Sequence, residues 1–481
     1  MTTSRADLPV VIDRASATPL SAQIAGQLRD AVTSGALTAG GRLPSTRDLA
    51  GALGVSRTVV TGAYTQLFAE GWLEGRHGSG TYVADVAPLP GPAADASPAP
   101  GGSLLAELGD GVVWDDGLIT LSPGVPCTAG IDQAAWRRAW RVAGTHPPAA
   151  WPDALGIPEL RAELAAYLGR SRGLAVRPEE ILVTHGVTSG LAMLAAACVR
   201  PGDRVGVEEP GYPRAREVLA RAGATIVPCR VDAHGIVPSD LPDGLRLLYT
   251  TPAHQYPLGG RLPVRRRQAL AAWARANRAV IIEDDYDSEF RYDVGPLPTL
   301  RSMDPDVIAY LGTTSKTLTP TFGVGWLVAP ADLADRLVAV RDGLAQRVSE
   351  PAQHALTALL ASGDLERHVR RMRLEYARRR AALVEGLGPA LAGRFRLLGD
   401  TAGMHVVLEL PPGGLELPPG GNATGGSAAA VARAAQDHGI RVATLERYFA
   451  GPVTIEGLIL GYGATPLPQV RHAAAILRSV I

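Results

Sequence analysis

The sequence predicts an α/β protein in two parts: a large unit on a mostly parallel sheet covered by helices, preceded by a small winged helix-turn-helix unit. Three observations carry this. From about residue 118 onward, apolar runs such as Ile181–Thr184, Leu247–Thr250 and Ala279–Glu283 alternate with Ala/Leu/Arg-rich helical stretches. That alternation marks strands joined by crossover helices. Before residue 83, short segments carry apolar residues at helical spacing and lead into a glycine-rich turn. Between the two parts, residues 84–103 hold five prolines, six alanines and three glycines with no apolar period, the composition of a semi-extended linker. The expected domains are residues 1–83, a linker over 84–117, and residues 118–481.

In the small unit, Leu20, Ile24, Leu28, Ala31 and Val32 make one helical face, and Gly35 stops that helix. Ser45 caps a second helix, Asp48 completes a capping box three residues on, and Gly54 ends it. Ser56 caps a third helix with Val60, Tyr64 and Leu67 inward. Gly62 inside it is a soft spot, since glycine weakens a helix. The last two helices form a helix-turn-helix that presents Ser56, Arg57 and Thr58 to bases and phosphates in the major groove. Trp72–Glu74 and Thr81–Val83 flank Gly75-Arg-His-Gly-Ser-Gly80. They form a wing whose glycines let the backbone approach DNA, while Arg76 and His77 bring charge.

Composition narrows the field. The 47 basic and 47 acidic residues cancel, which argues against indiscriminate nucleic-acid binding but not against a local DNA reader. Cys127, Cys198 and Cys229 are too dispersed for a metal site or a disulfide framework. Arg5, Asp7, Asp13 and Arg14 interrupt any leader-like apolar stretch, and Leu191–Val199 is too short to span a bilayer. A soluble cytoplasmic protein without membrane partners is expected. Residues 411–427 read as a flexible surface loop.

The large unit holds the only lysine of the chain, Lys316; of 47 Lys and Arg, the other 46 are arginine. Arginine stays protonated, whereas a lysine amine can lose its proton and attack a carbonyl, so Lys316 is the candidate Schiff-base nucleophile. The strand Ala279–Ile282 runs into Glu283-Asp-Asp-Tyr-Asp287. Alternate residues share a face, so Asp284 and Tyr286 point together into a site at the strand's C-terminal end. A carboxylate there holds a pyridine nitrogen protonated, and a phenol bonds a ring hydroxyl. Both tasks belong to pyridoxal 5'-phosphate. The turn His185-Gly186-Val187 lies between a strand and an Ala/Leu-rich helix and offers N–H groups to a phosphate. Thr313 and Ser315 add hydroxyls. Tyr212, two residues before Arg214, can stack on the ring while Arg214 clamps a carboxylate.

The N-terminal segments PLSAQIAGQLRDAV, GGRLPSTRDLAGALGVSRTVVTGAYTQLFAEGWL and GRHGSGTYV resemble the winged-helix domain of the GntR family of bacterial regulators. The resemblance implies DNA contacts at Arg47, Ser56, Arg57, Thr58, His77 and Gly78. Further on, LGIPELRAELAAYLGRSRG, EEPGYPRAR, TPAHQYPLGGRLPVRRR, IIEDDYDSEFRY and GTTSKTL resemble fold-type I aminotransferases. More closely, the whole chain is similar to the MocR/GabR subfamily, in which the two domains are fused. That implies a pyridoxal-phosphate-dependent, homodimeric regulator that binds double-stranded DNA at promoters with paired half-sites. An amino-acid or amine effector would be sensed by aldimine exchange at Lys316, with Arg214 and Arg447 reading its carboxylate. Asp284, Tyr286 and Tyr212 would hold the ring.

Two positions depart from the family pattern. The phosphate turn, usually Ser-Gly-Thr-Gln-Gln, reads His185-Gly-Val-Thr-Ser here, and the arginine usual seven residues after the lysine is Gly323. A charge-assisted hydrogen bond is worth roughly 1.5–3 kcal/mol, so the phosphate is held less firmly unless His185, Thr188 or another arginine substitutes. Two further readings stay open: a sensor of pyridoxal phosphate itself that controls vitamin B6 metabolism, and an active aminotransferase with a DNA-binding appendage. Against the latter, the segment Leu458–Gly463 lacks the carboxylate-binding arginine usual in such enzymes. Transaminase activity is expected to be vestigial at most.

Overall fold

The computed structural model describes residues 8, 10–16, 18–76, 80–85, 117–293, 297–391, 395–399, 401–411 and 426–480. The linker expectation and most of the 411–427 loop expectation therefore lie outside the described residues. The chain divides into two compact units, Met1–Val112 and Val113–Ile481.

The first unit packs α1 (Leu20–Thr33), α2 (Thr46–Leu53) and α3 (Arg57–Ala69) against the hairpin of β1 (Leu73–Arg76) and β2 (Gly80–Val83). Ile24, Leu28 and Val32 from α1 meet Leu49, Val60, Tyr64, Leu67, Leu73 and Val83 in one core. Ser45 caps α2 by accepting from the Asp48 N–H. The Asp48 carboxylate returns the contact to the Ser45 hydroxyl at 2.8 Å rather than to the backbone N–H that a capping box uses. Ser56 caps α3 in the same way through Val59. α3 runs unbroken through Gly62, whose Cα faces Ser21 at the start of α1, so tertiary packing overrides local propensity there.

The second unit is built on an eight-stranded sheet. Its strands are β4 (Ile181–Thr184), β5 (Arg204–Glu209), β6 (Thr225–Asp232), β7 (Gly235–Ile236), β8 (Leu247–Thr250), β9 (Val280–Asp285), β10 (Ile308–Thr313) and β11 (Gly325–Val328), in the order β4-β11-β10-β9-β8-β5-β6-β7. β11 runs antiparallel to both its neighbours, as does the short β7 to β6; the rest are parallel. Strands β4, β8 and β10 are buried on both faces, which is why they read as continuous apolar runs rather than alternating ones. A smaller antiparallel sheet near the C-terminus holds Arg396–Leu398, His405–Glu409, Gly457–Gly461 and Ala443–Thr444, in that order.

Behind the end of β9 lies a buried charged cluster. Arg172 sits 2.6 Å from Asp285 and 2.5 Å from Glu289, while Tyr310 and Tyr167 donate to the same two carboxylates. Burial opposes ionisation of Asp285, but the Arg172 charge prevails and holds its carboxyl below the usual range. The cluster pins the Asp285–Glu289 turn, and with it the direction in which Asp284 and Tyr286 leave the strand. Among the described residues no helix is long and apolar enough to cross a membrane.

Candidate functional site

In a parallel sheet the C-terminal strand ends share one edge, and that edge is where ligands bind. Here β4, β5, β8, β9 and β10 all end on it. From β9 comes Asp284, whose carboxylate accepts from the Tyr249 hydroxyl through Oδ2. Its other oxygen, Oδ1, is buried and has no hydrogen-bond partner. Burial raises the Asp284 carboxyl from 3.8 to about 7, although the Tyr249 hydrogen bond and the charge of Lys316 act the other way. From the turn after β10 comes Lys316, half-buried, with Nζ donating to the Gly124 carbonyl at 2.6 Å.

Gly186 follows β4 and precedes the helix Val187–Cys198, whose N-terminus no side chain caps. The φ of Gly186 is +127°, a value open in practice to glycine alone. A Cβ there would lie 3.4 Å from the Thr313 hydroxyl and 3.8 Å from that of Ser315. Gly325 at the start of β11 leaves no room either, since its Cβ would come within 2.6 Å of Gly186 Cα. The structure thus places the Thr313 and Ser315 hydroxyls beside Gly186 at the start of that helix. His185 is exposed beside it. Gly323 has a φ of +65° and open space where a side chain would project, so no cation comes from that position.

Tyr212 stands at the N-cap of the helix Pro213–Arg221, with its ring edge-on to Tyr256 at 5.8 Å. Tyr256 also meets Tyr286, Tyr448 and His405 within 5.4–5.6 Å. Arg214, in the first turn of the helix, is half-buried and has no hydrogen-bond or ion-pair partner among the described residues. The neighbouring Arg216 reaches across instead, donating to the carbonyls of Tyr448 at 2.6 Å and Arg447 at 3.1 Å. This ties the helix to the segment carrying Arg447, whose own exposed guanidinium lies 5.8 Å from the Tyr448 ring centre.

Tyr249, His254, Asp287, Tyr256, Gly124 and Arg216 were not singled out from the sequence. His254 and Tyr256 lay in a segment recognised as family-like without a role for either. Tyr249 lay next to the end of a strand, a signal available but unused. Nothing in the sequence marks Gly124, 192 residues from the lysine it bonds. The residues present fit pyridoxal phosphate: a buried carboxylate oxygen without a partner suits a protonated ring nitrogen, and the glycine-lined helix start with two hydroxyls suits a phosphate.

In the first unit, Ser56, Arg57 and Thr58 form the exposed start of α3, and Arg47 is exposed on α2. Arg57 Nε bonds the Thr46 hydroxyl at 3.3 Å, so the starts of α2 and α3 lie side by side. His77 and Gly78 lie outside the described residues. Arg57→Ala is expected to weaken binding to the protein's own promoter by about tenfold or more, since charged contacts at a recognition-helix start carry roughly 1–3 kcal/mol. Fluorescence anisotropy on the promoter and on scrambled DNA checks this, and unchanged promoter affinity would reject the assignment.

The comparisons bear on the fold and the family. Residues 117–449 match the aminotransferase class I and II family, and residues 20–83 match the gntR family of bacterial regulatory proteins. The pyridoxine biosynthesis transcriptional regulator PdxR of Corynebacterium glutamicum is 39% identical, over 99% of this chain and 99% of that protein. The probable rhizopine catabolism regulatory protein MocR of Rhizobium meliloti is 33% identical, over 98% of this chain and 95% of that one. Among solved structures, the α-aminoadipate aminotransferase LysN of Thermus thermophilus, complexed with N-(5'-phosphopyridoxyl)-L-leucine, superposes with a TM-score of 0.65 at 25% identity. It covers 76% of this chain and 92% of its own. With a GntR-type winged helix at one end and an aminotransferase fold bearing this strand-end site at the other, the chain belongs to the MocR/GabR-type GntR regulators.

Proposed function

We propose that this DNA-binding regulator senses pyridoxal phosphate itself, held at Lys316, and adjusts transcription of genes that supply it. The observation that supports the ligand is the unpartnered, buried Oδ1 of Asp284, in a fold shared with pyridoxal-phosphate-dependent aminotransferases. The choice of that ligand as the signal draws on the full-length likeness to a regulator named for pyridoxine biosynthesis. It also draws on a phosphate cup that has hydroxyls and helix N–H groups but no guanidinium from position 323. A loosely held phosphate suits a ligand whose occupancy must follow its concentration.

When bound, pyridoxal phosphate supplies an aldehyde for the lysine amine and a ring that withdraws electrons. Lys316 provides the amine, Asp284 holds the ring-nitrogen proton, Tyr212 covers the ring, and Thr313, Ser315 and the start of the helix Val187–Cys198 hold the phosphate. Binding changes DNA affinity only as far as the ligand prefers one arrangement of the protein over another. Two copies of the chain then read paired half-sites.

A second reading, an amino-acid or amine effector, is favoured by one observation. Arg214 is half-buried at a helix start without a partner, as a carboxylate-reading arginine would be. Turnover as a transaminase has less support, because the segment Leu458–Gly463 holds no arginine. The test is promoter affinity measured by anisotropy with increasing pyridoxal phosphate, then with a panel of amino acids and amines at saturating cofactor. Pyridoxal phosphate alone is expected to shift the affinity by about tenfold, a coupling of ~1.4 kcal/mol, with no further change on adding amines. No response to the cofactor would overturn the proposal, and a response only to an amine would transfer it to the second reading.

A further inference from the structure

His254 lies at the edge of the site, 3% exposed, between two side chains that compete for one nitrogen. Its Nδ1 is 3.0 Å from Asp287 Oδ2 and 3.2 Å from Oδ1. The same Nδ1 is 2.9 Å from the Tyr286 hydroxyl. One ring nitrogen either carries a proton and donates, or lacks one and accepts. As a carboxylate, Asp287 can only accept, and it is 2% exposed, with His254 as its hydrogen-bond partner. The Nδ1 proton therefore belongs to the His254–Asp287 contact. The Tyr286 hydroxyl then faces an N–H, which cannot take its proton.

We propose that Asp287 is a positioning residue: by fixing the proton on His254 Nδ1, it forces Tyr286 to donate its own proton toward the ring oxygen of the bound cofactor. This rests on the cofactor reading above and deepens it. A phenol that donates to that oxygen favours its deprotonated form; a phenol turned toward an accepting histidine does not.

The surroundings keep the arrangement in place. His405, whose ring centre is 5.5 Å from that of His254, is pushed down to about 4 by burial and adds no positive charge. Lys316 is the cation of this corner, felt by both Asp284 and His405. Gly403, with a φ of +77°, backs the pair so closely that a Cβ would fall 2.2 Å from His254 Cε1 and 2.9 Å from Asp287 Oδ2. His254 has no room to swing away from Asp287 on that side.

The experiment uses the full-length protein with added pyridoxal phosphate. It reads the ratio of the long-wavelength to the near-ultraviolet absorption band of the bound cofactor, which report the ring oxygen without and with its proton. In Asp287→Asn no carboxylate holds the Nδ1 proton, His254 takes the other tautomer and accepts at Nδ1, and Tyr286 turns to it. The ratio is expected to fall about tenfold, the worth of one hydrogen bond. Adding His254→Phe to Asp287→Asn removes the acceptor and is expected to restore the wild-type ratio, which loss of a merely structural role would not do. Tyr286→Phe is expected to deplete the long-wavelength band by itself. An Asp287→Asn protein with the wild-type ratio, a folded double variant as depleted as the single one, or a Tyr286→Phe protein with an unchanged ratio each overturns the proposal. A wild-type protein with no visible band defeats the cofactor reading itself, so the two failures are told apart.

Discussion

Lys316→Ala is expected to lose the visible absorption band that pyridoxal phosphate raises in the wild-type protein, together with any response of DNA binding to the cofactor. No other side chain can take over. The remaining 46 basic residues besides histidine are arginines, which stay protonated at any working pH. The lysine amine is presented by the turn after β10, where Nζ donates to the Gly124 carbonyl. Non-covalent contacts at Asp284 and the phosphate cup persist in the variant. Affinity should therefore drop by about 100-fold, near 2.8 kcal/mol, rather than vanish. Lys316→Arg keeps the charge and should lose the band equally, which separates nucleophile from counter-ion. An absorbance titration reads both, and a band that survives in Lys316→Ala would remove the basis of the proposed function.

Asp284→Asn is expected to act in opposite directions on the empty and the loaded protein. In the cofactor-free protein, burial raises the Asp284 carboxyl to about 7, well above its value in an unfolded chain. The folded state thus binds the proton more tightly than the unfolded state. Its contribution is fully present below the ordinary carboxylate range and is lost as pH rises through about 7. Asparagine carries no such titration. Without cofactor, the variant should exceed the wild type at pH 8 by an amount of the order of 2–4 kcal/mol, with the difference smaller at pH 5 and gone only below the ordinary carboxylate range. Some slope remains in both, because buried Glu283 is likewise pushed up to about 7. With pyridoxal phosphate the order reverses, since a protonated ring nitrogen offsets the buried charge of aspartate but gains little from an amide. Thermal melts at pH 5 and pH 8, with and without the cofactor, measure all four corners. A variant no more stable than wild type at pH 8 when empty would show that the buried oxygen carries no such penalty.

The parts legible in the sequence were those written in local chemistry. The caps at Ser45 and Ser56, the stop at Gly54, the apolar faces of α1 and α3, and the alternation of strands and helices all depend on neighbours within a few residues. Asp284 was legible at the end of a strand and Lys316 by its singularity, whereas Tyr286, expected on the same strand, lies in the turn after it. What stayed hidden depends on pairing across the fold. The Tyr249 contact to Asp284 joins adjacent strands 35 residues apart in sequence, and Gly124 reaches Lys316 from the far end of the unit. His254 was visible as a residue but not as a proton donor, because its role exists only once Asp287 and Tyr286 converge on the same nitrogen. Arg216, rather than Arg214, ties its helix to the Arg447 segment, a distinction that helical spacing within a run of arginines does not make.

Gly403 sits two residues before the strand His405–Glu409 of the small sheet, yet it touches the imidazole that abuts Tyr286. With no space for even a methyl group, a displacement of the small sheet at this end would press on the histidine, and through it on the Tyr286 hydroxyl. The bound ligand then works as an optical strain gauge. Any displacement of the small sheet that disturbs this contact would show in the ligand's colour, without any attached label.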